Sequence, residues 1–248
     1  VWVYRTSKYN THPAVLYEYT LGRSGDYAKK FLEDWKGTYL HCDGYTGYKK
    51  LMDKTLCGCL VHAKRKFYEA YEVNRSNEYA KQGETYLRKL FRLEDKADES
   101  GLTLEKRLEM RKTNSKQVLD EFYSWISQIE SKILPKSLMG KAITYAINQK
   151  EYLENFLKDA RIQLSNNLAE QSVKPFVIGR SNWLFANTPN GANASTLIYS
   201  IIQSAILNNL IPQKYLTFVF DTIQSGGDAS LLVPWSDEIP ESCKNKKS

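Results

Sequence analysis

The chain has 248 residues, with 35 Lys or Arg against 28 Asp or Glu, and its formal net charge is +7. This length is ample for a large core, and the basic balance favours an anionic partner, nucleic acid first. No stretch reaches the roughly 18–20 apolar residues that a membrane span needs, and no export leader opens the chain. Four cysteines without a disulfide-framework spacing predict free thiols in a reducing cytoplasm.

Strand signals come first in the chain. Residues 1–6 (VWVYRT) and 14–22 (AVLYEYTLG) are rich in β-branched and aromatic residues, and they predict two adjacent antiparallel strands. A capping signal at Ser24, followed by apolar residues four apart, predicts a helix that ends near Gly37.

Two further strands are predicted after this helix. Residues 39–42 form a short buried strand, and residues 55–61 form another that runs into a basic amphipathic helix from about His62. Strand, helix and strand in this order predict a crossover connection and a mixed sheet of about four strands.

The rest of the chain is predicted to be helical. One helix should run from Asn166 to about Gly179, with Ser165 or Asn166 as its N-cap and a kink or an early end at Pro175. Two apolar helices and a loose tail follow. The domain boundaries are therefore predicted as a sheet with flanking helices (1–75), an all-helical insertion (76–160), a C-terminal helical region (161–225) and a tail (226–248).

Asp43 is the first candidate for chemistry. It follows a buried strand and precedes Gly44, and the carboxyl ends of strands in α/β sheets open onto the crevice where ligands bind. Asp-Gly is also a common turn dipeptide, so a turn role is the alternative.

Glu170 is the second candidate. Asn167, Glu170, Gln171 and Lys174 share one face of the predicted helix and form a polar strip. A solvated helix face is the alternative. Phosphodiester hydrolysis or transfer uses two divalent cations about 3.5–4 Å apart, which need carboxylates from separate elements, and Asp and Glu suit Mg²⁺.

Five blocks of the sequence, in order, resemble the insertion-sequence-66 family of bacterial DDE transposases. They are WVYR, LHCDGYTGY, GCLVHAKRKFYEA, NNLAEQSVKPFVIGRSNWLF and LIYSIIQSAILNNLIPQKYL, and they cover nearly the whole chain. The resemblance implies a ribonuclease-H-like α/β fold, in which a mixed sheet is flanked by helices and carries an all-helical insertion.

The same resemblance implies a function and its residues. Asp43 would be the second acid of the catalytic triad and Glu170 the third, holding Mg²⁺, with Mn²⁺ as a substitute, for cleavage and transfer of DNA strands. Lys174 and Arg180 would face phosphates. The implied partners are transposon ends, target DNA and further copies of the chain in a transposition complex, in the bacterial cytoplasm at the nucleoid.

One feature of the family is absent from this sequence. The first acid of the triad would precede Val1, where the chain starts within an apolar, aromatic run like a cut edge, and no acid occurs before Glu18. We therefore expect the chain as given to lack transposase activity. A non-catalytic DNA-binding or assembly module and another ribonuclease-H-like nuclease remain the alternatives.

Further candidates have competing interpretations. Lys64, Arg65 and Lys66 could approach the DNA backbone or form a solvated helix face. Trp183 and Phe185 could stack on a base or pack against the final helices.

The cysteines near the second predicted strand pair also have two interpretations. Cys57, Cys59 and His62 invite a zinc interpretation, but no second cysteine pair follows, so buried strand thiols are favoured.

Overall fold

The computed structural model describes residues 1–51, 53–183 and 186–245, apart from the side chains of Arg180 and Trp183. The chain divides into two compact units. The first unit comprises residues 1–23 and 167–248, and the second comprises residues 24–166. Strands and helices both occur, which confirms the α/β class. None of the helices within the described residues is long and apolar enough to cross a membrane.

The first unit contains an antiparallel ladder. Its strands are β1 (Trp2–Arg5) and β2 (Val15–Glu18), and Val3 pairs with Tyr17. This confirms the predicted pair of adjacent antiparallel strands. The β-branched and aromatic residues of both strands suit a pleated surface, and Val15 and Tyr17 supply its buried face.

The first unit also contains the α-helices α8 (Asn167–Trp183), α9 (Pro189–Leu207) and α10 (Pro212–Gln224). Of the two outcomes predicted at Pro175, a kink or an early end, the early end is wrong, because α8 continues through this residue to Trp183. Proline removes one backbone donor, and the other hydrogen bonds of the turn suffice to continue the helix. Asn166 directly precedes α8, but its side-chain Oδ1 is buried without a hydrogen bond, so this oxygen does not cap the helix.

Helix α9 covers the outer edge of β2 with serine side chains. Ser200 Oγ accepts from the Tyr17 amide at 2.8 Å, and Ser204 Oγ accepts from the Val15 amide at 3.0 Å and donates to the Val15 carbonyl at 3.1 Å. Exposed strand edges are templates for unwanted pairing. Here the helix takes the place of a further strand.

The tail is packed, contrary to the expectation of a loose segment. Leu232, Ile239 and Cys243 are buried, and Tyr215 of α10 donates its hydroxyl to the Leu232 carbonyl at 2.5 Å. Residue 244 also bridges back to Leu210.

The second unit contains a parallel ladder and two flanking helices. Its elements are α1 (Gly25–Phe31), β3 (Tyr39–Cys42), β4 (Thr55–Gly58) and α2 (Leu60–Val73). Ser24 caps α1 as predicted, since its side chain accepts from the Asp26 amide. Helix α2 begins two residues before the predicted start.

The four strands form two separate two-stranded ladders among the described residues, not the single sheet that was predicted. The sequence pattern identifies strands by alternation and composition, but strand partners depend on hydrogen bonds made in three dimensions. The number of strands was correct and their pairing into one sheet was wrong.

The residues between α2 and α8 are helical, as the composition predicted. The helices are α3 (Glu78–Glu99), α4 (Leu104–Met110), α5 (Lys116–Ile129), α6 (Leu138–Asn148) and α7 (Lys150–Glu154). A π-helical turn at Arg111–Ser115 joins α4 to α5. The core of this unit is apolar and joins α2 to these helices around Phe67, Leu90 and Phe122.

Candidate active site

Asp43 lies directly after β3, where the parallel ladder ends at its carboxyl edge. Its Oδ1 accepts a hydrogen bond from the Tyr45 amide at 2.9 Å, a contact typical of an Asx turn. The turn role that was the alternative is therefore present. The residue is half-buried and also lines a cleft, so the turn fixes a carboxylate at an accessible position.

We call this depression the Asp43 cleft. Side chains from three parts of the second unit line it: the loop after β3, the strand β4 and the helical insertion. Its lining includes Asp43, Tyr45, Tyr48, Lys49, Gln149 and Tyr152. The insertion residues were missed from the sequence, because nothing in their spacing shows that α6 and α7 return to the end of β3.

Burial dominates the electrostatics around this strand end. It raises the pKa of the Cys42 thiol to about 12, with a smaller contribution from Asp43, and lowers the pKa of His41 to about 4. It also raises the pKa of Tyr145 to about 12, with Cys59 and Asp43 acting in the same direction. His41, Cys42 and Tyr145 are therefore all uncharged at neutral pH.

Glu170 is exposed in the first turn of α8. The unpaired backbone amides of a helix start favour a negative charge there. Gln171 and Lys174 are also exposed, and Asn167 is half-buried. The polar strip predicted from the sequence is therefore largely solvent-accessible.

Strand β1 anchors the Glu170 helix through residues on both sides of the acid. Arg5 Nη1 donates to the Leu168 carbonyl at 3.1 Å and to Ser172 Oγ at 2.9 Å. Tyr17 donates its hydroxyl to the Ser172 carbonyl at 2.5 Å. Sequence reasoning missed this anchor, although a charged residue at the end of an apolar strand was a signal for it.

Aromatic packing adds to the anchor of α8. The ring of Phe176 lies 5.7 Å from that of Tyr17 and 5.0 Å from that of Tyr199, measured between centroids. Val173 and Val177 of α8 are exposed, so these apolar side chains do not take part in the packing. Ser172 and Gly179 of α8 are buried, and Phe176 is half-buried.

The two predicted acids belong to different units: Asp43 to the second and Glu170 to the first. Each offers carboxylate oxygens, the donor type that Mg²⁺ prefers. Within residues 1–51, 53–183 and 186–245, no three His, Cys, Asp or Glu side chains are grouped as ligands for a metal ion. Their joint action on Mg²⁺ therefore stays a prediction.

Of the three cations of α2 predicted to bind DNA, two lie near aromatic rings and one is exposed to solvent. Lys64 Nζ lies 5.2 Å from the ring centroid of Phe91, and Lys66 Nζ lies 4.9 Å from that of Tyr145. Arg65 is exposed. Of the remaining candidates, Arg180 and Trp183 have side chains outside the described part, and Phe185 lies outside it entirely.

Cys57 and Cys59 are buried and form no disulfide, and Cys57 lies in β4 while Cys59 directly follows it. Their predicted burial is confirmed. Burial raises the pKa of the Cys57 thiol to about 12, so it is held as the neutral thiol. His62 is half-buried at the start of α2.

An acid at the end of a parallel strand, beside a helical insertion and a basic helix, defines a mixed α/β protein with a polar cleft. Comparison with protein families identifies which one. The model of the IS66 transposase family matches residues 1–194, and the chain belongs to this family. The family resemblance drawn from the five sequence blocks is confirmed.

Curated relatives come from Sinorhizobium fredii. The uncharacterized protein y4qI is 30% identical over 237 residues, which is 90% of this chain and 43% of that protein. The uncharacterized protein y4hP is 28% identical over 243 residues, 90% of this chain and 44% of that protein. The chain thus spans less than half the length of these relatives. No solved structure matches it.

Proposed function

We propose that this chain carries the catalytic region of a DNA transposase, in which Asp43 and Glu170 are two of the acids that bind Mg²⁺. The observation that carries the proposal is the position of Asp43, at the carboxyl end of a parallel strand and in a cleft, in a chain of the IS66 transposase family. Strand ends of this kind are where α/β sheets place their ligands. The ribonuclease-H-like fold that the family resemblance implies belongs to this proposal, although the described strands form two separate ladders.

The chain's own residues supply charge and orientation in this proposal. Asp43 is held by its turn with Tyr45, and Glu170 by the anchor of α8 on Arg5 and Ser172. Lys174, one turn beyond Glu170, offers a positive charge to a DNA phosphate. Bound Mg²⁺, with Mn²⁺ as a substitute, would supply Lewis-acid activation of water and then of a 3′-hydroxyl for in-line attack on phosphodiester bonds.

The proposed partner is DNA, first the transposon ends and then the target. The net charge of +7 favours such a polyanion. Arg65 and Lys174, both exposed, are the described cations proposed to contact the backbone, and Lys64, Lys66, Arg180 and Trp183 remain further candidates. Assembly of several copies in a transposition complex is part of the same proposal.

The test uses the protein encoded by the complete reading frame and measures Mg²⁺-dependent cleavage and joining at the cognate transposon ends. We expect Asp43→Asn and Glu170→Gln each to lower the rate by at least about 100-fold, since loss of an outer-shell partner alone costs 10–100-fold. DNA binding and folding should change little. Asp53→Asn and Glu105→Gln, at exposed acids, are the matched controls and should keep activity.

The outcomes separate this function from its rivals. Normal cleavage by Asp43→Asn or Glu170→Gln would show that these acids are not part of the centre. Cleavage of RNA–DNA hybrids in preference to transposon ends would favour another ribonuclease-H-like nuclease. DNA binding without cleavage at any Mg²⁺ concentration would favour an assembly module.

A further inference from the structure

The helical insertion forms one wall of the Asp43 cleft. Gln149 precedes α7 and Tyr152 lies within it, and both line the cleft with Asp43. Buried Asn155 ties this segment to the ladder, since its Nδ2 donates to the Leu56 carbonyl of β4 at 2.7 Å. The wall is therefore attached to the strand ends that carry the acid.

Two glycines allow this close approach. A Cβ atom on Gly44 would lie 3.1 Å from Tyr145 Cε2 and 3.6 Å from Gln149 Cδ. A Cβ atom on Gly58 would lie 3.2 Å from the Leu153 amide nitrogen. A side chain at either position would be in tight contact with the insertion, and its neighbours would have to shift by a few tenths of an ångström.

The cleft combines aromatic rings, a cation and an amide. Tyr45, Tyr48 and Tyr152 are half-buried, and the Tyr45 and Tyr48 rings meet edge to face at 5.8 Å. Lys49 is exposed, and its Nζ lies 5.9 Å from the ring centroid of Tyr152. Aromatic faces beside a positive charge are the means by which proteins hold unpaired nucleotides, through base stacking and phosphate contact.

We infer that the open rim of the Asp43 cleft binds one unpaired nucleotide of a DNA strand, with its base against Tyr152 and its phosphate beside Lys49. This rests on the proposed function, because it takes DNA as the substrate. The Gln149 amide has both a donor and an acceptor for the edge of that base. Bases of an intact duplex are stacked and paired, so the site selects a strand that is open next to the bond to be cut.

The insertion thus has a role beyond folding. It places a base-binding wall next to the strand-end acid, so that the nucleotide adjoining the reacting phosphate is held in register with Asp43. Tyr152 and Gln149 contact the base of the nucleotide, and Lys49 contacts its phosphate.

The test separates the base from the phosphate. Binding of the 248-residue chain to a short fluorescent oligothymidylate is compared, in EDTA, with binding to an abasic strand of the same length and charge. We expect the wild-type chain to prefer the base-bearing strand. Tyr152→Ala should weaken binding to that strand by roughly 5- to 150-fold, the range that loss of one base–aromatic stack gives.

Three further variants make the result specific. Tyr152→Phe keeps the ring and should bind within about twofold of wild type. Tyr79→Ala, at an exposed tyrosine on α3, is the matched control and should not change the preference. Lys49→Ala should weaken binding to both strands alike, because it removes a phosphate contact.

Equal affinity of the wild-type chain for the base-bearing and abasic strands would overturn the inference. So would an unchanged preference in a folded Tyr152→Ala variant. Should circular dichroism show that this variant is unfolded, Gln149→Ala gives the second measurement and must reduce the preference. Because EDTA removes any metal-dependent reaction, failure here leaves the proposed roles of Asp43 and Glu170 standing, and the cleavage assay tests those separately.

Discussion

Arg5 of β1 donates to Ser172 Oγ of α8 at 2.9 Å, and the same Nη1 reaches the Leu168 carbonyl at 3.1 Å. Ser172 Oγ in turn donates to Leu168 at 2.8 Å. Leu168 and Ser172 lie on either side of Glu170 in the sequence. The orientation of the first turn of α8 is therefore set by a charged hydrogen-bond donor from the neighbouring strand.

Replacing Arg5 should loosen this turn. We expect Arg5→Ala to lower the free energy of unfolding by about 1.5–3 kcal/mol, since hydrogen bonds from charged donors contribute that much. Arg5→Lys keeps the charge but loses the planar guanidinium, and should fall between wild type and Arg5→Ala. Urea denaturation measures these changes. Arg92→Ala, at an exposed position of α3, should stay within about 0.5 kcal/mol of wild type, and an equal loss there would contradict the anchor.

Tyr17, the second anchor of α8, should make stability depend on alkaline pH. Burial raises the pKa of Tyr17 from 10.0 to about 12. Because the folded state holds this proton more tightly, the contribution is fully present below pH 10 and is lost as pH rises through about 12. Each such group contributes a slope of at most about 1.4 kcal/mol per pH unit.

The measurement is urea denaturation at a series of pH values across this window. Burial raises the pKa values of Tyr145, Tyr215, Cys42 and Cys57 to about 12 and also raises the pKa of Tyr123, so wild type should lose stability through several groups. In Tyr17→Phe the unfolding free energy should fall less steeply with pH than in wild type, because this variant lacks one titrating proton. An identical pH slope for the variant and wild type would show that Tyr17 does not titrate in this way.

Local sequence signals predicted much of the fold. The strands over residues 1–6 and 14–22, the cap at Ser24 and the helical stretch after α2 all arise from alternation, capping chemistry or helical period. These features depend on neighbours in the chain. The family resemblance rested on the order of blocks and did not depend on knowing which strands pair.

Contacts between distant residues were not predictable in the same way. The hydrogen bond from Arg5 to Ser172 joins residues 167 positions apart in the sequence, and that from Arg111 to the Ile162 carbonyl joins residues 51 positions apart. Nor did the sequence show that Gln149 and Tyr152 line the cleft of Asp43, because helical period says which face is apolar but not where the helix docks. Asp43 itself was predictable from its strand-end position.

The serine contacts at the edge of β2 give a third prediction. Ser200 Oγ accepts from the Tyr17 amide, and both groups are buried. Ser200→Ala leaves that amide without this acceptor, which should cost about 1–3 kcal/mol of unfolding free energy. Ser195 on the same helix donates to the Gly191 carbonyl within α9, and Ser195→Ala should cost less than about 0.5 kcal/mol. Equal costs in thermal or urea denaturation would mean that α9 does not satisfy the strand edge.

A buried ion network should make the helical insertion sensitive to single substitutions. The Glu94 carboxylate accepts hydrogen bonds from Arg107 Nη1 and Arg111 Nε, each at 2.7 Å. The Arg111 side chain is only 2% exposed. Arg111 Nη1 also donates to the carbonyls of Phe156, Asp159 and Ile162, so the same side chain fixes the segment that follows α7. Removing the carboxylate would leave two buried guanidinium groups without their shared partner.

We expect Glu94→Gln to lower the free energy of unfolding by about 3–5 kcal/mol, the usual cost of removing one partner from a buried ion pair. The matched control is Asp120→Asn, which breaks the exposed pair with Lys116 on α5 and should cost no more than about 0.5 kcal/mol. Far-ultraviolet circular dichroism in urea measures both. Similar losses of unfolding free energy in the two variants would show that the Glu94 network stabilises the protein no more than an exposed ion pair does.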